Sequence, residues 1–240
     1  ISSKDGGLGV SAIYVDQMQH ELRRMMLMAQ GNVEASFRSV LNRDENELAE
    51  VEKTEEYIDF LNKEISLHVS RLIAYETNEK ASAVVSSFFT ISGNIERIGD
   101  HAVNIQESAQ ELHDKELRFS DSAREELQVL LSALDDILDL TIRSFQAADV
   151  ETARRVEPLE ETIDQLIEEI RSRHIQRLQA GQCTIQLGFV LSDLLTNIER
   201  ASDHCSNIAV SVIEECSGGP GRAFGEDLRR DRKKYHLPEA

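Results

Sequence analysis

The sequence predicts an all-α protein made of two tandem three-helix units. Three observations carry that expectation. Apolar residues recur with the helical period of 3.6 residues nearly throughout the chain. Helix breakers are scarce, with 3 prolines and 12 glycines in 240 residues, beside 40% hydrophobic residues. The third observation is an internal repeat, in which one order of helices is used twice.

The repeat is read directly from the residues. NIERIGDHAVNIQESAQEL (94–112) matches NIERASDHCSNIAVSVIEE (197–215) at 10 of 19 positions. Upstream, VEKTEEYIDFLNKEI (51–65) matches VEPLEETIDQLIEEI (156–170) at 9 of 15. The offsets are 103 and 105, so the two copies differ by two residues in a loop. FRSV (37–40) against IRSF (142–145) carries the match into the first helix of each unit.

The periodicity predicts helices over 11–42, 45–74, 77–115, 120–147, 150–180 and 183–216. Short polar connections make sequence neighbours antiparallel. Asp44 and Asp149 stand where an N-cap is wanted, each just ahead of a new periodic segment. On the second helix the apolar stripe is Val51, Ile58, Leu61 and Ile65. On the third it is Ile91, Ile95, Ile98, Ala102, Ile105, Ala109 and Leu112. Pro158 falls inside the fifth helix and predicts a kink or a late start there. The expected organisation is a disordered lead-in over 1–10, a first unit over 11–117, a second over 118–217, and a linker with a basic tail over 218–240.

Charge and cysteine usage narrow the function classes. The formal net charge is −18, which disfavours a general nucleic-acid binder, because such proteins need a surplus of Lys and Arg. Residues 222–240 carry 6 Lys/Arg against 4 Asp/Glu, so the basic character is confined to the tail. That stretch, with RRDRKKYHLP, is a candidate for contact with an anionic membrane surface, the other reading being a free chain end. Cys183, Cys205 and Cys216 are an odd set without counterparts between the repeats; they read as packing residues in a reducing, cytoplasmic compartment. No apolar run approaches the roughly 18 residues of a membrane span, and residues 1–10 do not read as a signal peptide.

The residues that could carry chemistry are carboxylates. Each unit has two pairs at i, i+4: Glu55/Asp59 and Glu96/Asp100, then Glu160/Asp164 and Glu199/Asp203. That spacing puts both members of a pair on one helix face, one turn apart. Two pairs on adjacent antiparallel helices would offer four carboxylates to one spot, as hard cations require. The competing reading is a solvated acidic face, since Glu96 and Asp100 project opposite the apolar stripe of their helix. Recurrence of all four residues at matched positions favours the metal reading. Asn104 and Asn207, one turn past the aspartates, could add oxygen ligands or support them from behind, and Arg97 and Arg200 could neutralise the acidic surface as ion-pair partners. His101 and His204 swing about 100° away from the neighbouring aspartates and read as structural hydrogen-bonding groups. No P-loop, dinucleotide fingerprint or nucleophile elbow is present. A metal-dependent oxidase or hydrolase and a purely structural scaffold are the rival classes.

At NIERIGDHAVNI and NIERASDHCSNI the chain resembles the PhoU family of phosphate-uptake regulators, over about residues 11–217. The resemblance implies two three-helix PhoU units bearing E(D)-x-x-x-D motifs and surface clusters of several metal ions, commonly iron or zinc, with Mg or Mn also compatible with the oxygen donors. By position the ligands would be Glu55, Asp59, Glu96 and Asp100, then Glu160, Asp164, Glu199 and Asp203. It also implies a regulator rather than an enzyme, with a membrane phosphate transporter as partner and self-association as a further expectation. Free-standing members usually carry an R-Q-P-x-A-x-D-L-R-like segment between the second and third helices of the first unit; here LIAYETNEKASAVVSSFFTI (72–91) replaces it. That departure, the non-Met start and the basic tail look more like the PhoU-type domain that follows the membrane part of bacterial Na+/phosphate cotransporters, placed at the inner face of the membrane. The alternative is a free-standing PhoU regulator of the phosphate ABC transporter and its sensor kinase.

Overall fold

A computed structural model describes residues 6–42, 48–75, 79–217 and 234–238 of the chain. Seven helices follow in order among them: α1 (Gly6–Asn42), α2 (Leu48–Tyr75), α3 (Glu79–Asp114), α4 (Asp121–Ala147), α5 (Val150–Ala153), α6 (Val156–Gln179) and α7 (Ile185–Ser217). The described residues contain no strand. α1, α2 and α3 pack on one another, and α4, α6 and α7 do the same. The two bundles meet through α3 against α7 and α1 against α4. Each of those contacts joins a helix to its own counterpart in the repeat, which is the signature of a pseudo-two-fold axis.

The periodic stripes drive this packing. Every stripe residue named for the second and third helices is buried, from Val51 to Ile65 and from Ile91 to Leu112. On α7 the matching stripe is Leu194, Ile198, Ala201, Cys205, Ile208 and Val212, also buried. Cys205 therefore takes the packing role expected of it, opposite Ala102 in the repeat, and burial pushes its thiol up to about 12. Fully burying an aliphatic side chain of this kind contributes about 1.5–3 kcal/mol before entropic costs, so the shared core of both units is the main stabilising term.

Local chemistry fixes the helix ends. Ser120 caps α4 by accepting from the Ala123 amide at 3.2 Å, and Ala148 closes it in the left-handed region, φ 47°. Asp149 is the N-cap anticipated at that position: its carboxylate accepts from the Glu151 amide at 3.0 Å. Asp44 lies outside the described residues. Gly181, φ 69°, ends α6 in a reversal in which the Gln182 amide donates to the Arg177 carbonyl at 2.8 Å. Thr184 then caps α7 by accepting from the Leu187 amide at 3.2 Å.

Three boundaries differ from the sequence reading. The single helix expected over 150–180 is broken at Arg154 and Arg155 into α5 and α6. Pro158 explains it, because proline has no N–H to offer the Arg154 carbonyl and fits only in the first turn of a new helix. α1 begins at Gly6, inside the segment 1–10 expected as lead-in. Gly6, Gly7 and Gly9 depress intrinsic helix propensity by about 1 kcal/mol each, which hid this turn from a periodicity reading. Of the basic tail, Lys234–Pro238 are described, and they pack against α4 and α6. Tyr235 is buried in the core and its hydroxyl donates to Asp136, as does Lys234, while Arg173 donates to the Pro238 carbonyl. The remainder of that tail lies outside the described residues.

Arg173 also belongs to a buried ion cluster. Glu126, whose side chain is 3% exposed, accepts from Arg177 through both oxygens at 2.9 Å and lies 3.5 Å from Arg173. Removing the carboxylate leaves Arg177 desolvated without its counter-charge, while Arg173 keeps Glu169 at 2.6 Å. Glu126→Ala is therefore expected to lower the unfolding free energy by about 3 kcal/mol. Urea denaturation checks this; a loss below about 0.5 kcal/mol, the size of an ordinary surface substitution, contradicts it.

Candidate metal centre

The i, i+4 pairs are carried by the helices that follow the first of each unit. Glu55 and Asp59 stand on α2 facing Glu96 and Asp100 on α3; Glu160 and Asp164 stand on α6 facing Glu199 and Asp203 on α7. Each set lies beside the buried stripes, since Ile58, Ile95 and Ile98 occupy the same helices a residue or more away. The helical wheel turned Glu96 and Asp100 away from their own stripe. α2 covers part of that face, so the Glu96 side chain is only 22% exposed. Seven of the eight carboxylates are therefore half-buried in grooves between helices, and Asp203 is exposed at the edge of the second.

Like charges in a partly desolvated groove raise one another's pKa values. In the first unit burial raises Glu55, with Asp100 and Asp59 adding to it. Burial likewise raises Glu96, followed by the charge of Asp100, and it raises Asp100, to which Asp59 contributes. In the second unit burial, then Asp164 and Asp203, push Glu160 up to about 8. The protonated form of Glu160 is therefore favoured, with Asp164 and Asp203 as acceptors for its proton. Asp164 is raised by burial and then by Glu199 and Asp203. One of its oxygens, Oδ1, is buried and has no hydrogen-bond partner.

These observations test whether the residues suit a cation. As they stand, no three Asp, Glu, His or Cys side chains among the described residues form a ready ligand set. The donor chemistry nevertheless fits: oxygen ligands only, mutually repelling, partly desolvated, with an orphaned carboxylate oxygen in the second unit. Side-chain rotation within either groove would be needed to close around an ion.

The supporting groups are placed less simply. Arg97 lies 4.0 Å from Glu96 through Nε, while Arg200 is exposed on α7. Asn104 and Asn207 turn to the seam between the units. Asn104 donates to Asn197 Oδ1 at 3.0 Å, and Asn207 donates to Asn94 Oδ1 at 3.3 Å. The histidines complete the same pattern, with His101 Nδ1 at 2.9 Å from Asn197 Oδ1 and His204 Nδ1 at 2.9 Å from Asn94 Oδ1. Their rings stack at 5.4 Å between centroids. Both histidines are thus structural hydrogen-bonding groups, and burial, then His101, holds His204 down to about 4. Sequence reasoning missed Asn94 and Asn197, the acceptors at the centre of this seam; the available signal was their recurrence at the head of both NIER repeats.

The raised Glu160 has a signed consequence. Its folded pKa exceeds the unfolded value, so stability is full below about pH 4.5 and is lost as pH rises through 8. Glu160→Gln removes that loss. In metal-free protein the variant is expected to exceed wild type by about 2 kcal/mol at pH 8, discounted for partial exposure, and by little at pH 4.5. Denaturation curves at the two pH values decide this, and an equal difference at both contradicts it.

The model of the PhoU domain matches this chain twice, at residues 22–109 and 128–212. The phosphate-specific transport system accessory protein PhoU homolog 1 of Thermotoga maritima is 24% identical over 197 residues, covering 82% of this chain and 84% of that protein. The PhoU homolog of Clostridium acetobutylicum is 24% identical over 209 residues, covering 85% of this chain and 93% of that one. The crystal structure of PhoU from Pseudomonas aeruginosa superposes with a TM-score of 0.79 at 19% identity, over 84% of this chain and 96% of its own. PhoU from Streptococcus pneumoniae gives 0.77 at 16% identity, over 88% and 99%. Both share the fold. With one PhoU domain matched to each three-helix unit, the chain belongs to the PhoU family.

Proposed function

We propose that this protein is a regulatory accessory of a phosphate-specific transport system, acting at the cytoplasmic face of the membrane without catalysing a reaction. The observation that carries the reading is the duplicated unit itself: two matched PhoU domains, each with four carboxylates gathered in one groove. The relatives named above are accessory proteins of phosphate-specific transport, matched over 84–93% of their own length. They favour an accessory protein over a domain fused behind a Na+/phosphate cotransporter. Among the described residues no helix is long and apolar enough to cross a membrane.

In this reading the α2–α3 groove would hold cations through Glu55, Asp59, Glu96 and Asp100, and the α6–α7 groove through Glu160, Asp164, Glu199 and Asp203. Bound iron, zinc or a similar ion would supply positive charge that cancels the repulsion within each groove. The chain's own contribution is to hold eight carboxylates on paired helices and to present an altered, less acidic face to a partner. Ile175, Ile185 and Phe189 lie 54%, 71% and 68% exposed beside a groove of about 350 Å³ at the end of α6 and α7, and offer apolar contact area next to that face.

The test is genetic and quantitative. Cells lacking this chain are expected to take up radiolabelled phosphate faster in phosphate-rich medium and to keep a phosphate-starvation reporter switched on. The wild-type chain should restore both to normal, and a chain carrying Glu96→Gln, Asp100→Asn, Glu199→Gln and Asp203→Asn should not. Uptake and reporter output unchanged by the deletion would defeat this reading.

A further inference from the structure

The two grooves are built from one repeated helix order but are not electrostatically equal. We propose that Lys63 and Glu168, which occupy the same position of the repeat, make the first-unit groove the weaker and the second-unit groove the stronger of two unequal cation sites. This rests on the metal-binding reading given above and adds to it which unit loads first and which residues decide it.

The offset of 105 that aligns α2 with α6 pairs Asp59 with Asp164 and Lys63 with Glu168. Lys63 stands one turn past Asp59 and its ammonium donates to the Asp59 carboxylate. It also lies in the fields of Glu55 and Glu96, so three of the four carboxylates in that groove share a counter-charge at its solvent-exposed rim. A cation entering the groove must displace this ammonium or bear its repulsion. In the second unit the same position adds a fifth carboxylate, whose charge bears on Asp164. The pairing explains a difference in geometry as well: Asp59 is met by Lys63, while Asp164 keeps a buried oxygen with no partner.

The second groove does have a cationic neighbour, but it is placed differently. Arg171, whose counterpart is Ser66, lies 3.6 Å from Glu199 and 3.8 Å from Glu168, and also reaches Ser192 and Thr196 at 3.4 and 3.3 Å. It is held at the edge of the groove by α7 hydroxyls, and among the described residues Glu160 and Asp164 have no ion-pair partner. Arg97 and Arg200 occupy the same position of the repeat, but Arg97 lies 4.0 Å from Glu96 and adds positive charge beside the first groove. The balance is four carboxylates with Lys63 and Arg97 at the rim of one groove, against five with Arg171 at the rim of the other.

The test is a Mn²⁺ titration of the full chain, with free ion counted by electron paramagnetic resonance. Wild type is expected to show a tighter and a weaker class of site. Asp203→Asn should remove the tighter class and Asp100→Asn the weaker. Lys63→Gln should tighten the weaker class about tenfold, the scale of one unit charge acting on a divalent ion a few ångströms away in a partly solvated groove. Glu168→Lys should weaken the tighter class by a similar factor. Both side chains are open to solvent, 71% exposed for Lys63 and 78% for Glu168, so these variants keep the fold. Two classes that ignore Lys63→Gln and Glu168→Lys, or a tighter class abolished by Asp100→Asn, would overturn the inference while leaving metal binding intact. Wild type that binds no Mn²⁺ would overturn the underlying reading and this inference with it.

Discussion

Eight carboxylates held in two half-buried grooves set the terms for the rest of this molecule. Helix pairing brings Glu55 and Asp59 against Glu96 and Asp100, and Glu160 and Asp164 against Glu199 and Asp203. Like charges so arranged oppose folding, and the cost appears in the chain as a raised pKa at Glu160 and a lysine drawn onto Asp59. What offsets it is the apolar stripe on the other side of the same helices, from Ile91 to Leu112 on α3 and from Leu194 to Val212 on α7. A stripe and an acidic row on one helix fit the i, i+4 spacing in both units, which keeps both carboxylates on one face and off the apolar stripe.

The seam between the units makes the duplication a single structure. His101 and His204 stack across it, and each shares an acceptor with an asparagine of its own helix, Asn104 or Asn207. Because the acceptors Asn94 and Asn197 come from the opposite unit, every bond in this set crosses the pseudo-two-fold axis. The grooves and the seam lie on the same stretches of α3 and α7, with Asp100 beside His101 and Asp203 beside His204. Asp100 and Asp203 thus each sit one residue from the contact that joins the units.

Much of this was legible in the sequence, for a physical reason: helical period and duplication are local patterns, and both survive in the residue order. The stripes of α2 and α3, the Asp149 cap and the late start forced by Pro158 all follow from spacing alone. Features that depend on neighbours from distant helices were not legible. Asn104 and Asn207 share a helix face with the aspartates, yet they bond across the seam, because the acceptors come from about 90 to 115 residues away. The partial cover of Glu96 by α2 and the docking of Tyr235 on the core are likewise tertiary facts with no periodic trace. The first turns of α1 were hidden by glycines that lower local propensity without preventing helix.

The most direct measurement is an anomalous-difference map from a crystal of the full chain grown with Mn²⁺ as the sole divalent ion. The account predicts anomalous peaks in both grooves, one within ligand distance of Glu55, Asp59, Glu96 and Asp100 and the other of Glu160, Asp164, Glu199 and Asp203. Grooves free of anomalous density, with the carboxylates arranged as they are without metal, would contradict it.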